Sequence, residues 1–171
     1  MQRELKGSGK PFRAFEVLNL GLGTPEERQT ALAAVPADGE QVGLLQLILA
    51  SDPEEDKAVT LAALEKAAAD PLLAVSYRDL AVLRRVLVAG ADLPLADRRA
   101  ALEAIAVAGR PYRTLAEEQL AYLLIEEAKP DAAIAKLASL VQDQEASGAL
   151  RARAGQVITA LGGTPPQTVG G

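Results

Sequence analysis

The chain has 171 residues and a formal charge of −5, from 18 Lys and Arg against 23 Asp and Glu; it contains no His, Cys or Trp, and aromatics make up 3% of it. Within this chain those numbers exclude Ser-His-Asp and Cys-His catalysis, a disulfide framework and a zinc site built from Cys or His. The acidic balance argues against nucleic acid, whose phosphates require clustered Lys and Arg, while 34 Ala and 27 Leu make the composition strongly helix-forming.

Residues 1–11 read as a flexible polar lead-in. Within them Gly7-Ser8-Gly9-Lys10 lacks the spacing and the preceding strand of a phosphate loop. No stretch reaches the roughly 20 consecutive apolar residues of a membrane span, and no apolar h-region follows the start. Helices are then predicted over about 12–21, 25–35, 40–50, 54–69, 72–89, 94–108, 111–128 and 131–143, with a final one near 146–161. Thr24-Pro25-Glu26-Glu27 reads as a capping box opening the second of these. Asp52-Pro53 and Asp70-Pro71 read as N-caps with Pro at the first helical position. Gly23, Gly90, Gly109 and Gly162 mark helix ends, because Gly enters the left-handed cap conformation at little cost. The apolar residues between these signals recur at helical spacing: Leu150, Ala154, Val157, Ile158 and Leu161 form one stripe, and Ile134, Leu137, Ala138 and Val141 another. Leu44–Leu49 and Leu80–Val88 are apolar nearly all round, which predicts helices covered on two sides. No segment shows the strict alternation of a half-buried strand. The tail 163–171 is rich in Gly and Pro and is predicted to be disordered.

An internal repeat runs through this series. Tyr77-Arg78-Asp79-Leu80-Ala81 returns as Tyr112-Arg113-Thr114-Leu115-Ala116, 35 residues later, and the same offset maps Leu102 onto Leu137 and Ile105 onto Leu140. Residues 77–106 and 112–141 are therefore two copies of one helix–turn–helix unit. A looser copy precedes them at Leu44–Leu49 with Leu61 and Leu64, and a half-copy follows as a terminal helix. The predicted fold is all-α: over 12–162, a right-handed stack of antiparallel helical hairpins of tetratricopeptide-like length with a C-terminal capping helix. Small Ala side chains suit close helix packing in such a stack.

The runs Asp70–Ala81, Gly109–Ala116 and Leu150-Arg151-Ala152-Arg153-Ala154 through Leu161-Gly162-Gly163 resemble a bacterial family of tetratricopeptide-like proteins, that of the ancillary subunit of the Sec translocon, especially its alphaproteobacterial branch. The likeness extends over about residues 14–163. It implies a repeat domain held on the periplasmic side of the inner membrane by one N-terminal membrane helix, engaging the translocon, periplasmic chaperones or exported chains. The start of this sequence departs from that pattern, since it carries no such helix; a member lacking the anchor altogether would be cytoplasmic.

The candidate partner-binding residues are Tyr77, Arg78, Arg84, Arg85, Tyr112, Arg113 and Tyr122. Tyr and Arg are common interface anchors, which places them on a concave peptide-binding face. The alternative is that Tyr packs between hairpins while Arg pairs with a nearby carboxylate, as recurrence within a repeat predicts. Arg84-Arg85 and Arg98-Arg99 could receive an acidic segment or lipid headgroups, or form a solvated face with i,i+4 partners. Glu117-Glu118 and Glu126-Glu127 read as surface carboxylates, since adjacent positions on a helix point about 100° apart and make no acid–base pair. The sequence thus predicts a non-catalytic protein-interaction scaffold with no cofactor, metal or small-molecule substrate. The alternative is a homo-oligomeric module that assembles with itself.

Overall fold

The computed structural model describes residues 24, 27, 30–31, 34–36, 38–51 and 56–167. Among these residues the fold is entirely helical, with no strand: α1 (Glu40–Leu49), α2 (Lys57–Ala69), α3 (Val75–Ala89), α4 (Leu95–Ile105), α5 (Arg113–Glu126), α6 (Pro130–Gln142) and α7 (Gly148–Ala160), with one 3-10 turn at Gly90–Asp92. None of these helices is long and apolar enough to cross a membrane. The predicted helix at 12–21 lies outside the described residues, as do the caps Asp52-Pro53 and Gly23. The capping box at the second predicted helix is present: the Thr24 amide donates to Glu27 Oε2 at 3.0 Å, and the Glu27 amide donates to Thr24 Oγ1 at 3.3 Å.

Several helix starts fall later than the sequence reading. α2 is capped by Asp56, whose Oδ1 accepts from the Ala58 amide at 2.7 Å. α3 begins at Val75 and not at residue 72, because Asp70 ends α2 and its Oδ1 accepts from the Leu72 amide at 2.9 Å. That short side-chain bond closes a turn over 70–73, where an N-cap would have launched a helix directly. The same delay occurs at Pro111, where a turn precedes the helix start at Arg113.

The chain divides into two compact units, 1–81 and 82–171, with the boundary inside α3. In the first unit α1 packs on α2. Leu47 and Ala50 at the end of α1 and Ala63, Leu64 and Ala67 on α2 are all buried. Gly43 permits the close approach of the turn after α2: a Cβ there would stand 2.9 Å from Leu73 Cδ1 and 3.0 Å from Asp70 Oδ2.

In the second unit α4, α5, α6 and α7 pack in sequence order. One apolar cluster joins Leu83 and Val86 of α3 to Leu102 and Ile105 of α4 and to Ala116, Leu120 and Leu123 of α5. A second joins Ala121 of α5 to Leu137, Leu140 and Val141 of α6 and to Leu150, Ala154 and Ile158 of α7. Helix α5 thus serves both clusters, and Leu115 packs against each. The repeat is visible in the burial pattern. Ala81 and Ala116 are both 0% exposed, as are Leu102 and Leu137. The prediction that the all-apolar stretches are covered on two sides fails at Ile48 and Leu87, which are 51% and 53% exposed.

Two helix ends share one motif. After α7, the amides of Gly162 and Gly163 donate to the carbonyls of Thr159 and Ile158, with Gly162 at φ 85°. After α5, the amides of Ala128 and Lys129 donate to Ile125 and Leu124, but the left-handed position is Ala128, at φ 57°. This is the two-bond helix stop that Gly normally completes.

Candidate functional site

The side chains predicted to bind a partner fall into two groups. In the second unit they are engaged with the protein itself. Tyr112 packs against the apolar cluster of α3, α4 and α5. Arg113, at the start of α5, contacts three carboxylates: Nη1 lies 3.2 Å from Glu117 Oε1, and Nη2 lies 2.7 Å from both Asp143 Oδ2 and Glu145 Oε2. Its Nε also donates to Glu145 Oε2 at 3.0 Å. Those bonds raise the Arg113 pKa, the ones from Glu145 and Asp143 contributing most. Burial alone would raise the Asp143 pKa, but the hydrogen bond from Arg113 and the backbone amide of Glu145 hold it below its usual value.

Tyr122 is half-buried and donates to Glu118 Oε1 at 3.0 Å, and its pKa is raised by burial first and by the Glu118 carboxylate second. Glu118 is 2% exposed, so its reading as a surface carboxylate is corrected. Arg153 explains the burial: its Nε and Nη2 each donate to one Glu118 oxygen at 2.7 Å, a bidentate pair joining α5 to α7. A buried carboxylate is tolerated when it is paired and hydrogen-bonded in this way. Nothing in the spacing of the two residues flagged this partnership.

The solvated-face reading of Arg98-Arg99 is likewise corrected. Arg98 is 6% exposed; it donates through Nη1 to Glu126 at 2.7 Å and through Nε to the Leu93 carbonyl at 3.0 Å. Arg99 pairs with Glu127 at 2.7 Å, and Lys129 reaches the same carboxylate at 3.1 Å. Both arginines tie α4 to the end of α5, and their hydrogen bonds lower the pKa of Glu126 and Glu127. Arg84 and Arg85 are half-buried on α3.

A cleft of about 220 Å³ in this unit is lined by Arg99, Glu103, Ala106, Glu117, Leu120 and Lys136, so none of the predicted binding residues lines it. Two of its charges are already neutralised, Arg99 by Glu127 and Glu117 by Arg113. Among the described residues no group of three His, Cys, Asp or Glu side chains is placed to hold a metal.

The first unit presents the same motif differently. Tyr77 is 39% exposed, and the turn that delays α3 leaves Leu72 and Val75 64% and 38% exposed beside it in sequence. Arg78 forms no ion pair with any described residue, and its Nε is buried without a hydrogen-bond partner. The sequence explains the contrast. Subtracting the 35-residue offset from Glu117, Asp143 and Glu145 gives Val82, Ala108 and Arg110, so all three carboxylates that hold Arg113 are missing from the earlier copy.

Comparison of the chain with protein-family models, with curated proteins and with solved structures gives no match. The likeness to the translocon family therefore rests on its sequence motifs alone. Leu72 and Val75 were not among the sequence-predicted site residues. The missed signal was Asp70, whose Asx turn exposes them.

Proposed function

We propose that this chain is a non-catalytic protein-interaction module that docks a segment of another protein through Leu72, Val75, Tyr77 and Arg78. One observation carries the reading: the Tyr-Arg motif that is packed and ion-paired in the second copy has, in the first, an exposed tyrosine and a half-buried arginine without those carboxylates. Tyr and Arg beside exposed aliphatic side chains make the composition of an interface hot spot. An apolar surface at a helix start also suits an amphipathic or extended peptide. In the setting implied by the resemblance, the partner is a translocon subunit, a periplasmic chaperone or an exported chain.

The test is selection of a random peptide library on the purified protein, followed by affinity measurement on variants. Tyr77→Ala and Leu72→Ser are expected to weaken selected peptides at least tenfold while leaving thermal unfolding in place. If selected peptides are indifferent to both substitutions, the docking surface lies elsewhere. If the protein proves to be a tight homo-oligomer that both substitutions dissociate, the surface serves self-assembly instead.

A further inference from the structure

We infer that the segment received at Tyr77 and Arg78 is acidic, with two acidic residues separated by one residue and followed by a small apolar residue. This rests on the docking role proposed above and specifies the partner's chemistry. The molecule contains its own example of what an arginine at this register binds. In the second copy Arg113 holds Asp143-Gln144-Glu145, the loop between α6 and α7, and the next residue, Ala146, is 3% exposed within the apolar cluster. The loop's own hydrogen bonding shapes it for this contact. Asp143 Oδ1 accepts from the Glu145 amide at 2.8 Å, which turns both carboxylates toward one guanidinium.

In the first copy the aligned loop reads Ala108-Gly109-Arg110, with no acid in it. Among the described residues Arg78 forms no ion pair, and its Nε makes no hydrogen bond. Because Nε is buried, a carboxylate from outside meets the guanidinium at its Nη groups, and at Arg78, unlike Arg113, no resident carboxylate among the described residues has to be displaced first. Guanidinium–carboxylate pairs are directional and can be bidentate, which selects an acid over an amide of the same shape. The neighbouring Leu72, Val75 and Tyr77 supply apolar area for the small residue that follows the acids.

The experiment is fluorescence anisotropy with a labelled peptide of the sequence of residues 141–148 and with its Asn/Gln analogue, in which both acids are amides. The wild-type chain is expected to bind the acidic peptide, the analogue at least tenfold more weakly, and the affinity is expected to fall as salt rises. Arg78→Ala should lose at least tenfold, Arg78→Lys should retain part of the binding, and Tyr77→Phe should retain most of it. Because the peptide copies a loop of the protein, Arg113→Ala is the necessary companion: binding lost in that variant and kept in Arg78→Ala would mean that the peptide displaces its own loop, and would overturn the inference. Equal binding of the acidic and amide peptides would overturn it as well, while leaving an apolar docking surface intact. Failure of the wild-type chain to bind either peptide would reject the acidic partner, and the library selection would still report separately on the docking role.

Discussion

Tyr77-Arg78 and Tyr112-Arg113 occupy the same register of one repeat, and the positions behind them, Ala81 and Ala116, are equally and completely buried. Yet one tyrosine is exposed and the other packs on the core, and one arginine lacks an ion pair among the described residues while the other holds three carboxylates. The repeat therefore keeps its packing positions alike between copies and lets its polar positions diverge. A buried Ala in a helix contact cannot change size without a clash, whereas a half-buried arginine keeps its place in either copy, with acids around it or without. The difference between the copies lies in Glu117, Asp143 and Glu145, whose counterparts are Val82, Ala108 and Arg110.

The shared part of the comparison gives the largest expected effects. Leu102→Ala and Leu137→Ala occupy equivalent sites with no exposed surface, so each should destabilise by about 2–5 kcal/mol in chemical denaturation, and by similar amounts. A large disparity would break the equivalence of the copies. The divergent part comes next. Arg113→Ala should cost about 1–3 kcal/mol, since it strands two half-buried carboxylates, whereas Arg78→Ala should stay within about 0.5 kcal/mol of the parent.

Acid titration sharpens the same contrast. The folded-state pKa of Asp143 is lowered, so the stability it contributes is full above its unfolded value of 3.8 and is lost as the pH falls through the lower folded value. Thermal unfolding followed from pH 5 downward should therefore fall less steeply in Arg113→Ala than in the parent, and Arg78→Ala should follow the parent curve. The smallest effect concerns the helix stop after α5. Ala128 is exposed and stands at φ 57°, where the equivalent residue after α7 is Gly162. Ala128→Gly should stabilise by about 0.5–1 kcal/mol, the relief of left-handed strain exceeding the added freedom of the unfolded chain. A destabilised variant would show that the two helix stops are not equivalent.

Much of the scaffold was legible because it follows from local rules. Apolar spacing located the helices, the offset of 35 paired Leu102 with Leu137, and Gly90 and Gly162 end their helices at positive φ, whereas α4 already stops at Ile105 and Gly109 takes its positive φ in the loop beyond. The misread starts had competing local chemistry. Asp70 can cap a helix or close a turn, and the choice falls to the turn, where Leu73 also fits against Gly43. The polar contacts were less legible because they join residues far apart in sequence: Arg98 meets Glu126 and Glu118 meets Arg153 only once the helices have packed. No i,i+4 rule reaches across 28 or 35 residues. The lack of acids around Arg78 was in principle readable, but only after the structure had identified which acids hold Arg113.

The most direct test of the central claim is to measure Arg78→Ala and Arg113→Ala side by side, each for unfolding free energy and for affinity toward the acidic peptide. A crossed result is expected: Arg78→Ala keeps its stability and loses peptide binding at least tenfold, while Arg113→Ala loses stability and, under conditions where it is folded, keeps peptide binding. Two arginines that lose stability alike and leave peptide binding unchanged would contradict that claim.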